Sequence, residues 1–334
     1  MNPMKVSRVH FAVYCCICLF MLGSLNSAYA AFRSGSILAN LPTQGSANAV
    51  ALFSDQRHLL LGVAQEGLLV LDLSSTEQPQ VLSKLSALQQ VESILIRGKL
   101  AFIANGAAGL AIVDLSQPTA LKLLARLDTA SYAFDVAVTP DGQTAFMADN
   151  SNGVVVVDLR QPTKPRQVAV IPSSAASAGV ALSGNGQTLY IADQADGIQI
   201  IDVRDPKKPI HQGHFNPAGH PQRLAISKDG RWLFSANNEG GLSVHTLPIS
   251  ASHQTMQLPL RNAFAVSLSQ DQQTALVADL FNGVVVVDIK NPLNPQILQR
   301  IKTQRAAQGL AISQDQKTVY IADTQAGLTV LRFR

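Results

Sequence analysis

A seven-residue stretch, Gly153-Val154-Val155-Val156-Val157-Asp158-Leu159, recurs along almost the whole chain. Close copies begin at Gly67 (GLLVLDL), Gly109 (GLAIVDL), Gly197 (GIQIIDV), Gly241 (GLSVHTL), Gly283 (GVVVVDI) and Gly327 (GLTVLRF). Successive glycines are 42, 44, 44, 44, 42 and 44 residues apart. A period in the forties, with a short apolar run and turn residues in each unit, marks a blade repeat. The spacing therefore predicts an all-β chain, a seven-bladed propeller.

Each unit divides into four short strands. In the third unit, Phe134 to Val138 is the inner strand and Thr144 to Asp149 the second. Between them Asp141-Gly142 supplies the positive φ of a tight hairpin. Gly153 to Leu159 is the third strand. A wider turn carrying Pro162 and Pro165 leads to the outer strand, Gln167 to Pro172. The third strands contain continuous β-branched runs, Val154 to Val157 and Val284 to Val287, without the alternation of a strand wetted on one face. Such runs imply burial on both faces, as between two neighbouring blades. Each fully buried valine stabilises by roughly 1.5–3 kcal/mol relative to exposure.

The seventh unit stops after its third strand, at Arg334, while a spare strand precedes the first unit. Residues 37–44, ILANLPTQ, align without a gap to residues 297–304, ILQRIKTQ, the outer strand of the sixth unit. Residues 36–43 are therefore expected to complete four-stranded antiparallel sheets all round, by pairing beside Leu328 to Phe333. That closure would remove an exposed sheet edge.

The segments GLAIVDLSQPT, GVVVVDLRQPTKP, GIQIIDVRDPKKP and GVVVVDIKNPLNP resemble the LVIVD-repeat family. The second strands TAFMADN, TLYIADQ, TALVADL and TVYIADT are similar to the YVTN-type repeats of bacterial exported propellers. The resemblance covers about residues 36–334 and implies the propeller architecture. It implies no single activity. Unit five, GLSVHTLPIS, lacks both the aspartate and the Asp/Asn-Pro turn, and unit one has Gln65 where others carry Asp149, Asp193, Asp279 and Asp323.

The first thirty residues read as a secretory leader. Lys5 and Arg8 give a positive start, Phe11 to Leu22 is apolar, and Ala28-Tyr29-Ala30 suits a signal peptidase cleaving after Ala30. An uncleaved anchor is the rival reading, but the apolar run falls short of the ~20 residues of a span. The domains are then a signal peptide, 1–30, and one propeller, 31–334. The protein is expected in the periplasm or secreted, with membrane contact only through the leader.

Cys15, Cys16 and Cys18 all lie in the leader, so the exported chain would hold no disulfide, thiolate metal site or cysteine nucleophile. Charged residues make up only 14% of the chain, which suits extensive buried strand. The net charge of +4 includes no dense basic run, so nucleic acid is not expected as a partner.

The recurrent aspartates Asp149, Asp193, Asp279 and Asp323, with Asn105 and Asn237, invite a carboxylate-ring reading. A group repeated at every second-strand end is better explained as an acceptor for backbone N–H groups of the next turn. The same holds for Asp72, Asp114, Asp158, Asp202 and Asp288 in the third strands. His211, His214, His220, His245 and His253 cluster in units four and five, and three facing histidines would suit zinc. His211 and His214 are three apart on a strand, which puts them on opposite faces, so no metal is expected.

In a propeller, function is expected at the mouth of the central channel, where loops of all blades converge. Structural positions repeat there, so non-repeating polar and aromatic residues are informative. They are Asn48, Glu92, Tyr132, Phe134, Asp135, His220, Gln222, Arg223, Asn262, Phe264 and Gln308. Glu92, Asp135, His220 and Arg223 have the chemistry to orient a polar ligand or to serve as acid and base in a hydrolase. The bland alternative is a solvated rim. No GxSxG elbow, phosphate loop, dinucleotide fingerprint or CxxCH motif is present, and Trp232 is the only tryptophan, which disfavours a quinone-type propeller. The expectation is a cofactor-free, monomeric, non-enzymatic binding or assembly module. Its partner would be another envelope or secreted protein or a small polar ligand. A lactonase-like hydrolase is the alternative.

Overall fold

The glycine that opens each third strand is fixed by its surroundings. Gly153 has φ +83°, and a Cβ on it would lie 2.1 Å from the Ile171 carbonyl of the outer strand. Both the left-handed backbone and the close approach exclude larger residues. The six glycines aligned with it share the positive φ and the adjacent carbonyl.

The structure is a computed structural model that describes residue 32, residues 34–249 and residues 253–334. The leader lies outside these residues. The described chain forms seven four-stranded antiparallel sheets arranged as blades. Blades 1 to 6 each use four consecutive strands, as in blade 3: Asp135–Val138, Thr144–Ala148, Val154–Asp158 and Arg166–Ile171. Blade 7 combines Gly309–Ile312, Thr318–Ala322 and Leu328–Phe333 with the N-terminal strand Gly35–Leu41. Its register runs from Gly35 opposite Phe333 to Leu41 opposite Leu328. The Leu41 carbonyl takes the place at Gly327 that the Ile171 carbonyl takes at Gly153. Thr329 Oγ1 donates to Asn40 Oδ1 at 2.8 Å, and Gln299 of blade 6 bonds both backbone groups of Gly35.

The valine runs are buried on both faces. Val154 and Val156 pack toward blade 4, with Val180, Leu189 and Ile191, while Val155 and Val157 pack toward blade 2, with Phe102 and Ile112. An apolar core fills every junction between adjacent blades, and the one between blades 4 and 5 holds the fewest buried apolar residues: Tyr190, Ile198 and Leu233. Blade 5 lines that junction with Ser235, Ser243 and His245, where blade 3 carries Met147, Val155 and Val157. Ser243 accepts from Asn237 Nδ2 at 2.8 Å, and His245 lies 3.0 Å from both Ser235 Oγ and Thr255 Oγ1. His245 also packs against Phe215 and stacks on His253.

Two sequence expectations need correction. The outer strand Ile210–Phe215 carries a bulge, so Ile201 faces His211 while Gln199 faces His214. Residues 199 and 201 share a face, and so do the two histidines, whose rings are 6.4 Å apart. The second-strand end of blade 1 is Val63, opposite Gly67 as Asp279 is opposite Gly283; Gln65 lies two residues beyond.

Candidate functional site at the channel mouth

The inner strands place one residue of each blade at the same level: Asn48, Glu92, Phe134, Ala178, Gln222, Phe264 and Gln308. The next residue inward is Ala49, Ser93, Asp135, Gly179, Arg223, Ala265 or Gly309. This second tier is small everywhere except Asp135 and Arg223, which are opposite charges two blades apart.

Asp135 is buried and its carboxylate is fully engaged. Oδ1 accepts from Ser93 Oγ at 2.7 Å and from the Val136 amide at 3.0 Å. Oδ2 accepts from the Val180 amide at 3.2 Å and lies 3.9 Å from Arg223 Nε. Arg223 donates to the carbonyls of Ala178 in blade 4 and Phe134 in blade 3, and its guanidinium lies 5.5 Å from the Phe264 ring centre in blade 6. One planar fork with several donors is what lets a single side chain hold two carbonyls and a carboxylate.

Above this tier, Glu92 accepts from Tyr132 Oη at 2.6 Å and, at longer range, from Asn48 Nδ2. Burial and the hydrogen bond to Glu92 push the Tyr132 hydroxyl well above its ordinary pKa, so it serves as a donor and not as a base. The Tyr132 and Phe134 rings are 4.9 Å apart. Asn48, Glu92, Tyr132, Phe134, Asp135, Arg223 and Phe264 thus form a belt drawn from blades 1, 2, 3, 5 and 6, to which blade 4 adds backbone groups.

His220 stands apart from the belt. Its Nδ1 lies 2.6 Å from Glu239 Oε1, and both side chains are largely exposed. Gln222 is buried, donating through Nε2 to the His220 carbonyl. The Asn262 amide donates to Asp279, and the Gln308 amide to Ala322.

The recurrent aspartates behave as acceptors within the fold. Asp149 takes Thr129 Oγ1, the Ser131 amide and Asn152 Nδ2; Asp323 takes Thr303 Oγ1, Thr329 Oγ1 and the amides of Gln304 and Arg305. In the third strands, Asp158 binds the Arg160 side chain and amide, which hold its carboxyl well below the usual range. Among the described residues, no group of three or more His, Cys, Asp or Glu is placed to hold a metal ion. On the opposite face, a cavity of about 480 Å³ between blades 3 and 4 is lined by Asp158, Arg160, Arg204 and Lys207. Both its arginines are already paired, with Asp158 and Asp202.

The LVIVD repeat model matches residues 90–129, 130–169, 176–216 and 264–303, which correspond to blades 2, 3, 4 and 6. Four of the seven blades are LVIVD repeats. Blades 1 and 7, which meet at the closure, and blade 5, with its polar third strand, lie outside the matched segments. No curated protein matches the chain. Among solved structures, Kuenenia stuttgartiensis hydrazine synthase is similar at 15% identity and a TM-score of 0.71, covering 87% of this chain and 97% of that one. The Pseudomonas aeruginosa periplasmic gluconolactonase is similar at 18% identity and a TM-score of 0.72, covering 82% and 91%. At such identities the likeness is one of fold.

Proposed function

We propose that this propeller is an exported, monomeric, non-enzymatic binding module acting in the periplasm or outside the cell. Its recognition surface is the mouth face of the ring. The observation that carries this reading is the engagement of the charged pair at the mouth. Asp135 and Arg223 form a long ion pair at 3.9 Å, and each hydrogen-bonds the backbones of blades 3 and 4, which makes them framework. A general base needs a free lone pair within reach of substrate, and Asp135 spends its oxygens on three donors. Above the pair, Asn48, Glu92, Tyr132, Phe134 and Phe264 are half-buried, and His220 and Glu239 are exposed. Aromatic and mixed polar groups on a rigid ring suit the recognition of an envelope or secreted protein, or of a small polar ligand.

The alternative is a lactonase-like hydrolase, suggested by the fold shared with the gluconolactonase. Two measurements separate the readings. A photo-crosslinking residue at His220, on the mouth face, should trap one defined partner in the source cells, and the same residue at Lys208, on the opposite face, should not. Gluconolactone should not be turned over, with or without divalent metal. Turnover abolished by both Glu92→Ala and His220→Ala would establish the hydrolase and overturn the binding reading.

A further inference from the structure

Blade 6 breaks a pattern that blades 3, 4 and 7 keep. Where the second strand ends in aspartate, the residue twenty positions earlier normally carries a hydroxyl that bonds it. Thr129 donates to Asp149, Ser173 to Asp193 and Thr303 to Asp323. In blades 5 and 6 the corresponding residues are Pro217 and Pro259, which have no donor to give. Among the described residues, the two buried side-chain atoms without a hydrogen-bond partner are Asn237 Oδ1 and Asp279 Oδ2, at the ends of those same two strands.

The two differ in their surroundings. In blade 5 the atom without a hydrogen bond is a neutral amide oxygen. In blade 6 it belongs to a carboxylate that lines a cavity of about 560 Å³, together with Arg261, Arg300, Lys302, Phe281 and Pro259. Asp279 is fully buried, and its other oxygen already accepts from the Asn262 amide and Asn282 Nδ2. Oδ2 lies 3.8 Å from Arg300 Nη1, beyond hydrogen-bond range. Phe281 is 71% exposed at the cavity edge. A buried carboxylate oxygen seeks a donor. The three cations outnumber the single carboxylate and favour an anion.

The geometry points to a binding site for a small carboxylate that carries a hydroxyl or ammonium donor on the adjacent carbon. The donor bonds Asp279 Oδ2, the carboxylate is held by Arg300 with Arg261 and Lys302 beside it, and the rest of the ligand packs on Phe281. This pocket is separate from the Asp135–Arg223 belt, and it holds or fails whatever the mouth binds.

Three ligands that differ only at the donor test it by calorimetry on the exported full-length chain: L-3-phenyllactate, L-phenylalanine and 3-phenylpropionate. The hydroxy acid or the amino acid should bind, which tells the two donor sources apart, and 3-phenylpropionate should bind at least about tenfold more weakly. Arg300→Gln, on a half-exposed side chain, should abolish binding without lowering the melting temperature. Arg160→Gln on the opposite face should leave binding unchanged. Pro259→Thr restores the hydroxyl used in blades 3, 4 and 7, so it should keep or raise the melting temperature while weakening the ligand at least tenfold. Failure of all three ligands to bind, equal binding of all three, or full binding by Arg300→Gln would each overturn the assignment.

Discussion

The guanidinium of Arg223 in blade 5 donates to the carbonyl of Phe134 in blade 3 at 2.8 Å and to that of Ala178 in the blade between them. Gly179 has no room for a Cβ, which would lie 2.2 Å from the Gln222 carbonyl. One side chain thus ties three blades at the narrow end of the wedge.

Removing it should be costly. Arg223→Ala leaves the Phe134 and Ala178 carbonyls and the Asp135 carboxylate without their cation, and breaking a buried pair from one side costs about 3–5 kcal/mol. We expect a loss of about 3 kcal/mol in urea unfolding. Arg223→Lys should recover less than half of it, since an ammonium cannot hold both carbonyls and the carboxylate in one plane. A lysine variant as stable as the parent would show that charge alone suffices.

Acid should act first at blade 5. Burial, helped by the nearby His253, lowers the His245 pKa from 6.5 to about 3. The unfolded chain therefore takes up a proton below pH 6.5 that the folded chain refuses. Stability contributed by neutral His245 is complete above that pH and declines by about 1.4 kcal/mol per pH unit until about pH 3. His245→Gln should remove most of this slope when urea unfolding is compared at pH 7, 5 and 4. In hydrogen exchange at pH 4.5, the strands Trp232–Ala236 and Leu242–Thr246 should lose protection ahead of their counterparts in blade 3. Parallel slopes for parent and variant would refute the assignment.

Much of the ring was legible because its cause is periodic. Each third-strand glycine meets an outer-strand carbonyl, so the residue type must repeat at every blade. The valine runs were legible because alternate residues enter two different cores. The mouth positions could be listed by aligning inner strands, but their bonds could not, because Arg223 reaches past the adjacent blade to the next. A signal was present: Asp135 and Arg223 are the only charges in a tier otherwise made of Ala, Ser and Gly. The bulge beside His211 was missed because an extra residue in an outer strand leaves no mark in composition, yet it reverses which face His214 occupies.

The recurrent aspartates fall into two energetic classes. Asp323 is fully buried and holds two hydroxyls and two amides. Asp288 is half-buried and accepts the Lys290 amide in an exposed turn. Asp323→Ala strands several buried donors and should cost about 3 kcal/mol or more, whereas Asp288→Ala should cost under about 1 kcal/mol. Chemical unfolding of the two variants measures the difference directly. Equal losses would mean that the second-strand aspartates are no more structural than the turn ones.

The N-terminal strand is the remaining point of leverage. Without residues 34–44, Leu328–Phe333 loses its antiparallel partner from Gly35 to Leu41. Thr329 then loses Asn40, and blade 6 loses the contact between Gln299 and Gly35. Val330 and Leu331, both fully buried, would sit in an open sheet edge, which is a template for association with other chains. The gap lies at the outer edge of blade 7, where Leu38, Ala39 and Leu41 pack on the core that Val330 and Tyr320 share with Leu59, Leu61 and Leu69, so that core is weakened from its outer side. A loss of several kcal/mol in a chain this size shifts the melting temperature by on the order of 10 °C. The truncated protein should therefore melt at least that much lower and scatter light on heating. A synthetic peptide of residues 34–44 added in excess should recover part of the loss by binding the folded ring. A truncated chain that melts with the parent would mean that the three C-terminal strands close the ring unaided.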